Sequence, residues 1–217
     1  WLCIDMEHTT IDLSMAQVLI TTIHAKGMKA LVRVSKNEEV IIKKVMDAGA
    51  DGVIVPMVKS KEDAMQAVDY VKYPPFGKRG VGLYKAQEFG TAFEKYKKWV
   101  KEESIIIAQI EHIDAVENID DILEVDGIDG TIVGPYDLSG SMGYPGEFER
   151  DDVKQALEKV KSACKKHSKP LGFHVISSDS TLLNEKIEEG YTFLAFSLDF
   201  FFLGDKAREE MLKVKGN

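Results

Sequence analysis

Short, densely apolar runs alternate along the chain with longer amphipathic stretches. Residues 1–5 (WLCID), 29–34 (KALVRV), 53–55 (VIV), 104–111 (SIIIAQIE), 130–133 (GTIV), 169–176 (KPLGFHVI) and 191–197 (YTFLAFS) are rich in aliphatic, β-branched and aromatic residues. Runs of this kind read as strands buried on both faces. Residues 14–25, 38–48, 61–71, 87–102, 151–167, 180–189 and 200–214 carry apolar residues at helical spacing. Examples are Met15, Val18, Leu19 and Ile23 in the first, Val40, Ile41, Val45 and Met46 in the second, and Phe89, Phe93, Tyr96, Trp99 and Val100 in the fourth. A further helical stretch separates the strands at 104–111 and 130–133. Gly27 closes the first helix, and Tyr73-Pro74-Pro75-Phe76-Gly77 is a loop.

Strand and helix in strict alternation predict a parallel sheet with crossover helices. Seven such units, opening directly on a strand, predict a single α/β domain over residues 1–217. Its fold class is a (β/α)8 TIM barrel lacking its first strand and helix, since a barrel of this kind needs eight units. An N-terminal segment ahead of Trp1 is accordingly expected. An open doubly wound sheet is the alternative. Against it, no Gly-x-Gly-x-x-Gly follows any strand, and candidate polar groups fall at many strand ends instead of one crevice.

The formal net charge of −8 argues against a nucleic-acid partner, because no basic stripe offsets it. The 2 cysteines, Cys3 and Cys164, have no partner at metal or redox spacing, so a reducing, cytoplasmic setting is expected. No segment is long and apolar enough to span a membrane.

The chemistry gathers at the carboxyl ends of strands, where barrels of this class place it. Glu111 ends one strand and Asp137 follows the next, in Gly134-Pro135-Tyr136-Asp137. Either acid alone reads as a cap of the element that follows it. Together, with Gln109 beside them, they can share one hard divalent cation and leave its other positions to water and substrate oxygens. Arg33 interrupts the apolar run LVRV and needs an anionic partner, either a structural acid or a developing oxyanion. His8 follows Asp5 and Glu7 at another strand end and is a candidate general base. His174 points either into the mouth or into the core. His24 reads as structural, and His112 and His167 read as solvated helix residues. Lys29, a conceivable Schiff-base lysine, lies at the amino end of its strand, the wrong rim.

The stretches IDMEH, LVRVSKNE, GADGVIVPMV, YPPFGKRGVG, AQIEH and DGIDGTIVGPYDLSGSMGYPG resemble the HpcH/HpaI aldolase family. These are metal-dependent class II aldolases that cleave 4-hydroxy-2-oxo acids, and relatives of the citrate lyase β subunit. The match spans the chain to about Pro145 and weakens after Lys169. The resemblance implies a barrel of the phosphoenolpyruvate/pyruvate type and a 2-oxo acid substrate. It implies Mg2+, Mn2+ or Co2+ held by Glu111 and Asp137, and Gln109 contacting substrate. Backbone N–H groups around Gly134 and Tyr136 would take the pyruvate carboxylate. His8 would be the general base, supported by Asp5 and Asp47, and Arg33 would stabilise the enolate. Tyr136 is a departure, since a small residue is usual there. A lyase acting on a CoA thioester and a non-catalytic binding barrel are the alternatives.

The adjacent aromatics Phe200, Phe201 and Phe202, followed by Leu203, cannot all face one core, because a helix turns about 100° per residue. With the resemblance, they imply a homo-oligomer, dimer to hexamer, that buries this cluster between chains.

Overall fold

The computed structural model describes residues 1–214. In chain order the elements are β1 (Leu2–Asp5), α1 (Leu13–His24), β2 (Ala30–Arg33), α2 (Glu39–Asp47), β3 (Gly52–Val55), α3 (Lys61–Val71), a 3-10 segment (Lys85–Gly90) and α4 (Phe93–Glu102). Then come β4 (Ile105–Ile110), α5 (Ile113–Glu117), α6 (Ile119–Leu123), β5 (Gly130–Val133), α7 (Pro135–Ser141), α8 (Asp151–Lys166), β6 (Leu171–Val175), α9 (Ser180–Glu188), β7 (Phe193–Phe196) and α10 (Asp199–Leu212). All strand pairs are parallel and neighbours follow chain order from β1 to β7. The sheet curls into a nearly closed barrel. Its two edges meet where the rings of Trp1 and Phe193 stack, with centroids 4.6 Å apart. No helix among the described residues is long and apolar enough to cross a membrane.

The two-residue period of each strand divides the core. Ile4, Val32, Val53, Val55, Ile106, Ala108, Ile110, Val133, Phe173 and Val175 face outward and pack beneath the helices. Ile54, Ile107 and Ile132 face inward and, with Ile105, Phe193 and Ala195, fill the lower barrel. The same inward parity, continued to the carboxyl ends, reaches Asp5, Arg33, Gln109, Glu111 and His174. The apolar plug therefore hands over to a polar mouth on one face of the same strands.

Helix starts are capped by the residues their sequences supply. Asp12 accepts from the Met15 N–H at 2.9 Å, and Ser60 and Asp63 cap α3 reciprocally. The buried stripes of α1 and α2 are rotated from the expected ones. Ala16, Ile20 and Ile23 are buried in α1, and Ile42, Val45 and Met46 in α2, while Met15, Val18 and Val40 are exposed. The single helix expected over 87–102 is also broken. Glu88 and Phe89 adopt left-handed backbone ahead of Gly90 (φ 95), and α4 starts only at Phe93. The cause is local: Gln87 is drawn into the core, where its amide donates to the Tyr73 hydroxyl and the Gly82 carbonyl, each at 2.8 Å.

Candidate active site

Asp5 and Arg33 occupy paired positions in β1 and β2. The guanidinium meets the carboxylate with two prongs, Nε to Oδ1 at 2.9 Å and Nη2 to Oδ2 at 2.6 Å. Burial opposes the charge on Asp5, but the Arg33 bonds and charge outweigh it and hold the carboxyl below the usual range. Asp5 Oδ1 also accepts the N–H groups of Glu7 and His8, which folds the chain after β1 into a tight turn. Asp5 thus supports the arginine and the turn; its carboxylate does not reach the His8 imidazole. His8 is exposed at the rim, its Nε2 3.8 Å from Glu7 Oε2.

Glu7 is a site residue that the sequence reading missed. Its Oε2 is buried without a hydrogen-bond partner and lies 3.4 Å from Arg33 Nη1. Burial, and next the charge of Glu111, push its carboxyl up to about 7, against the pull of Arg33 and His8. The position of Glu7 is set by the turn after β1, in which Asp5 Oδ1 accepts the Glu7 N–H and the Glu7 side chain comes back to Arg33.

Across the mouth, Glu111 is buried and tightly held. Oε1 accepts the Met57 N–H at 2.7 Å and Oε2 accepts from the Gln109 side-chain amide. Met57 takes a left-handed φ of 54° just after β3, a conformation unfavourable for a side-chain-bearing residue, and this turn delivers its N–H to Glu111. Gly134, at the end of β5, is required by close approach: a Cβ there would sit 3.1 Å from Glu111 Oε2. Asp137 lies in the first turn of α7, which Pro135 opens, instead of on a simple turn. Burial and, among the charges, Asp137 raise the Glu111 carboxyl, opposed by the Gln109 and Met57 bonds. A cavity of about 410 Å³ opens here, with Met57, Glu111, His112, Tyr136, Asp137 and Ser141 in its wall.

This donor set fits a hard divalent cation. Two carboxylates line one cavity, and the donors bonded to Glu111 are both neutral, so among the described residues no cationic group is bonded to it. Among the described residues no group of three or more His, Cys, Asp or Glu is arranged to hold a metal, which leaves the remaining positions to water and ligand oxygens.

Other expected positions resolve differently. The Gly134 N–H is used by the Ile110 carbonyl at 3.2 Å and Pro135 has none, so the expected backbone pocket narrows to the N–H groups from Tyr136 onward. Asp47 does not join the group within one chain. It ends α2, which feeds the amino end of β3, whereas His8 follows the carboxyl end of β1, so the two lie at opposite rims. Asp47 sits instead beside Gly82, near the buried Arg79, whose charge counters the effect of burial on it. His174 faces the barrel interior, Nε2 3.5 Å from the Ser197 carbonyl, and burial lowers its pKa. His24 pairs with Asp51 and His167 with Asp120, each at 2.7 Å, so both are structural and His167 is not solvated. His112 is not a helix residue: it caps α5 and lines the cavity.

The sequence profile of the HpcH/HpaI aldolase/citrate lyase family matches residues 1–204. The 2-dehydro-3,6-dideoxy-6-sulfogluconate aldolase of Pseudomonas putida is 33% identical over 217 residues, covering 100% of this chain and 84% of that protein. The hydroxypyruvate/pyruvate aldolase of Sagittula stellata is 36% identical over 200 residues, covering 92% and 78%. The crystal structure of a family protein from Burkholderia cenocepacia superposes with a TM-score of 0.93 at 30% identity, covering 100% of this chain and 86% of that one.

Proposed function

The chain belongs to the HpcH/HpaI aldolase/citrate lyase family, and from that premise we propose that it is a class II pyruvate aldolase. It cleaves a 4-hydroxy-2-oxo acid to pyruvate and an aldehyde, with a divalent cation (Mg2+, Mn2+ or Co2+) held by Glu111 and Asp137. The observation that carries this reading is the acid pair on one cavity, Glu111 buried and Asp137 exposed at its mouth, facing a charged group of Asp5, Glu7 and Arg33.

The reaction breaks the C3–C4 bond, takes the proton from the 4-hydroxyl and leaves the electron pair on the pyruvate half as an enolate, which is then protonated at C3. A cation held by Glu111 and Asp137 would supply Lewis-acid polarisation of the keto group. Arg33, oriented by its two bonds to Asp5, keeps N–H groups spare for the developing oxyanion. Gln109 holds Glu111 and stands beside the keto end. His8, at the exposed rim, accepts the hydroxyl proton on the aldehyde side. Glu7, buried beside Arg33, is the acid placed to supply a proton to the enolate. The N–H groups of Tyr136 and Asp137, in the first turn of α7, have no intrahelical partners and receive the substrate carboxylate.

The test is incubation of pyruvate with a panel of aldehydes, with EDTA or with added Mg2+, Mn2+ or Co2+. Metal-dependent formation of 4-hydroxy-2-oxo acids is the expected result, and its absence with every aldehyde and metal would overturn the reading.

A further inference from the structure

Three features of the cavity converge on His112. The ring caps α5: Nδ1 accepts the Asp114 N–H at 3.1 Å. That N–H is a helix-start donor with no other partner among the described residues, whereas the Asp114 carboxylate, 3.2 Å from Nδ1, is about half exposed and open to solvent. Nδ1 is therefore the acceptor nitrogen, and Nε2 carries the proton. The loop bearing the ring is pinned, because the Ile113 N–H donates to Ser141 Oγ at 2.9 Å and Ser141 donates to the Leu138 carbonyl at 2.7 Å.

The cavity wall then limits the available donors. Glu111 and Asp137 only accept when ionised, Met57 offers no side-chain donor, and the Ser141 hydroxyl is occupied in both directions. His112 Nε2–H and the Tyr136 hydroxyl are the side-chain donors left without a partner among the described residues. The Tyr136 ring is more than half exposed and packs edge-on against Phe148, so the capped His112 is the better-fixed of the two.

Direction follows from the fold. His8 and Arg33 come from β1 and β2, while this cavity opens over the loops after β4 and β5. A substrate whose 4-hydroxyl faces His8 turns its C1 carboxylate toward this cavity and the N–H groups of Tyr136 and Asp137, with His112 in the same wall. We infer that His112 Nε2–H is a recognition donor for the substrate carboxylate, making the site selective for 2-oxo acids over uncharged ketones. This rests on the aldolase reading above.

The test uses His112→Ser, which keeps a good helix cap but cannot reach into the cavity. His112→Asn, also a capping residue, serves with the same expectation if the serine variant does not fold. Calorimetry on Mn2+-loaded protein compares pyruvate with butane-2,3-dione, which replaces the carboxylate by an acetyl group. Losing a hydrogen bond to a charged group should weaken pyruvate roughly tenfold or more and leave the dione unchanged. Equal loss for both ligands, or none for either, overturns the inference. If wild-type protein binds Mn2+ but not pyruvate, the aldolase reading itself fails; if it binds pyruvate and the variant binds it equally, only the role of His112 does.

Discussion

Asp5 and Arg33 stand opposite one another in adjacent parallel strands and lock together through Nε–Oδ1 at 2.9 Å and Nη2–Oδ2 at 2.6 Å. An arginine anchored this way has a fixed plane, and its function depends on that plane. Arg33→Lys keeps the charge but loses the fork. Turnover should fall by about 10²–10³-fold, roughly 2.7–4 kcal/mol, the scale for one preorganised charge stabiliser. Metal affinity should change little. Near-wild-type kcat would make Arg33 purely structural.

Glu111→Gln or Asp137→Asn should abolish pyruvate-forming activity and Mn2+ binding while the circular dichroism spectrum stays that of the parent. EDTA should do the same to the parent protein, reversibly. A variant that is fully active in metal-free buffer would sink the role assigned to the acid pair.

Glu7 predicts a pH dependence of stability in the metal-free protein. Its carboxyl is raised from 4.5 to about 7 on folding, so between those values the folded chain binds more protons than the unfolded one. Stability is then greatest below pH 4.5 and falls as pH rises to about 7, by on the order of 2–3 kcal/mol. Glu7→Gln should flatten this slope. Denaturant melts at pH 5 and 7 decide it: identical slopes for parent and variant would mean that Glu7 is ionised throughout.

His8→Ala should slow aldol cleavage more than it slows deuterium exchange at the pyruvate methyl group. His8 serves the hydroxyl of the aldehyde half, while exchange depends on Arg33, Glu7 and the cation. Proton NMR in heavy water measures the second rate directly, and equal losses in both would assign His8 elsewhere.

Assembly gives a further prediction. No residue of α10 is buried, and Phe200, Phe202 and Leu203 are exposed. Phe202 turns one edge onto Phe196, centroids 5.1 Å apart, which leaves the rest of the patch uncovered. We propose that a second copy covers it. Light scattering at micromolar concentration should give at least a dimer, and Phe200→Ser with Leu203→Ser should shift it toward monomer. A monomeric, active parent would refute this.

Much of the site was legible because polar residues at the ends of apolar strands have few structural reasons to be there. Arg33 in LVRV, and Gln109 and Glu111 closing the Ile-rich run of β4, stood out on that ground. Glu7 did not, because between Asp5 and His8 it read as a spacer; the turn held by Asp5 Oδ1 after β1 brings it to Arg33. Asp47 is a different case: a residue ending a helix that feeds a strand lies at that strand's amino end, so a supporting role for it would have to be played at the site of a neighbouring subunit. His112 read as a solvated helix residue because a histidine cap resembles a first helical position in sequence, and the break at Glu88 and Phe89 was hidden by apolar spacing that continues across it.

The seam closed by the Trp1 and Phe193 rings has a consequence for how the molecule yields. Every residue of β3 and β5 is buried, whereas β7, α9 and α10 bury none. Rigidity is therefore graded around the barrel, greatest at the strands flanking Glu111 and least at β7 and the helices beside it. The acid pair stands on the stiff side and His8 on the compliant one. Gentle warming should loosen the proton-accepting half of the site before the metal-binding half, so that the protein loses cleavage while still gripping its cation.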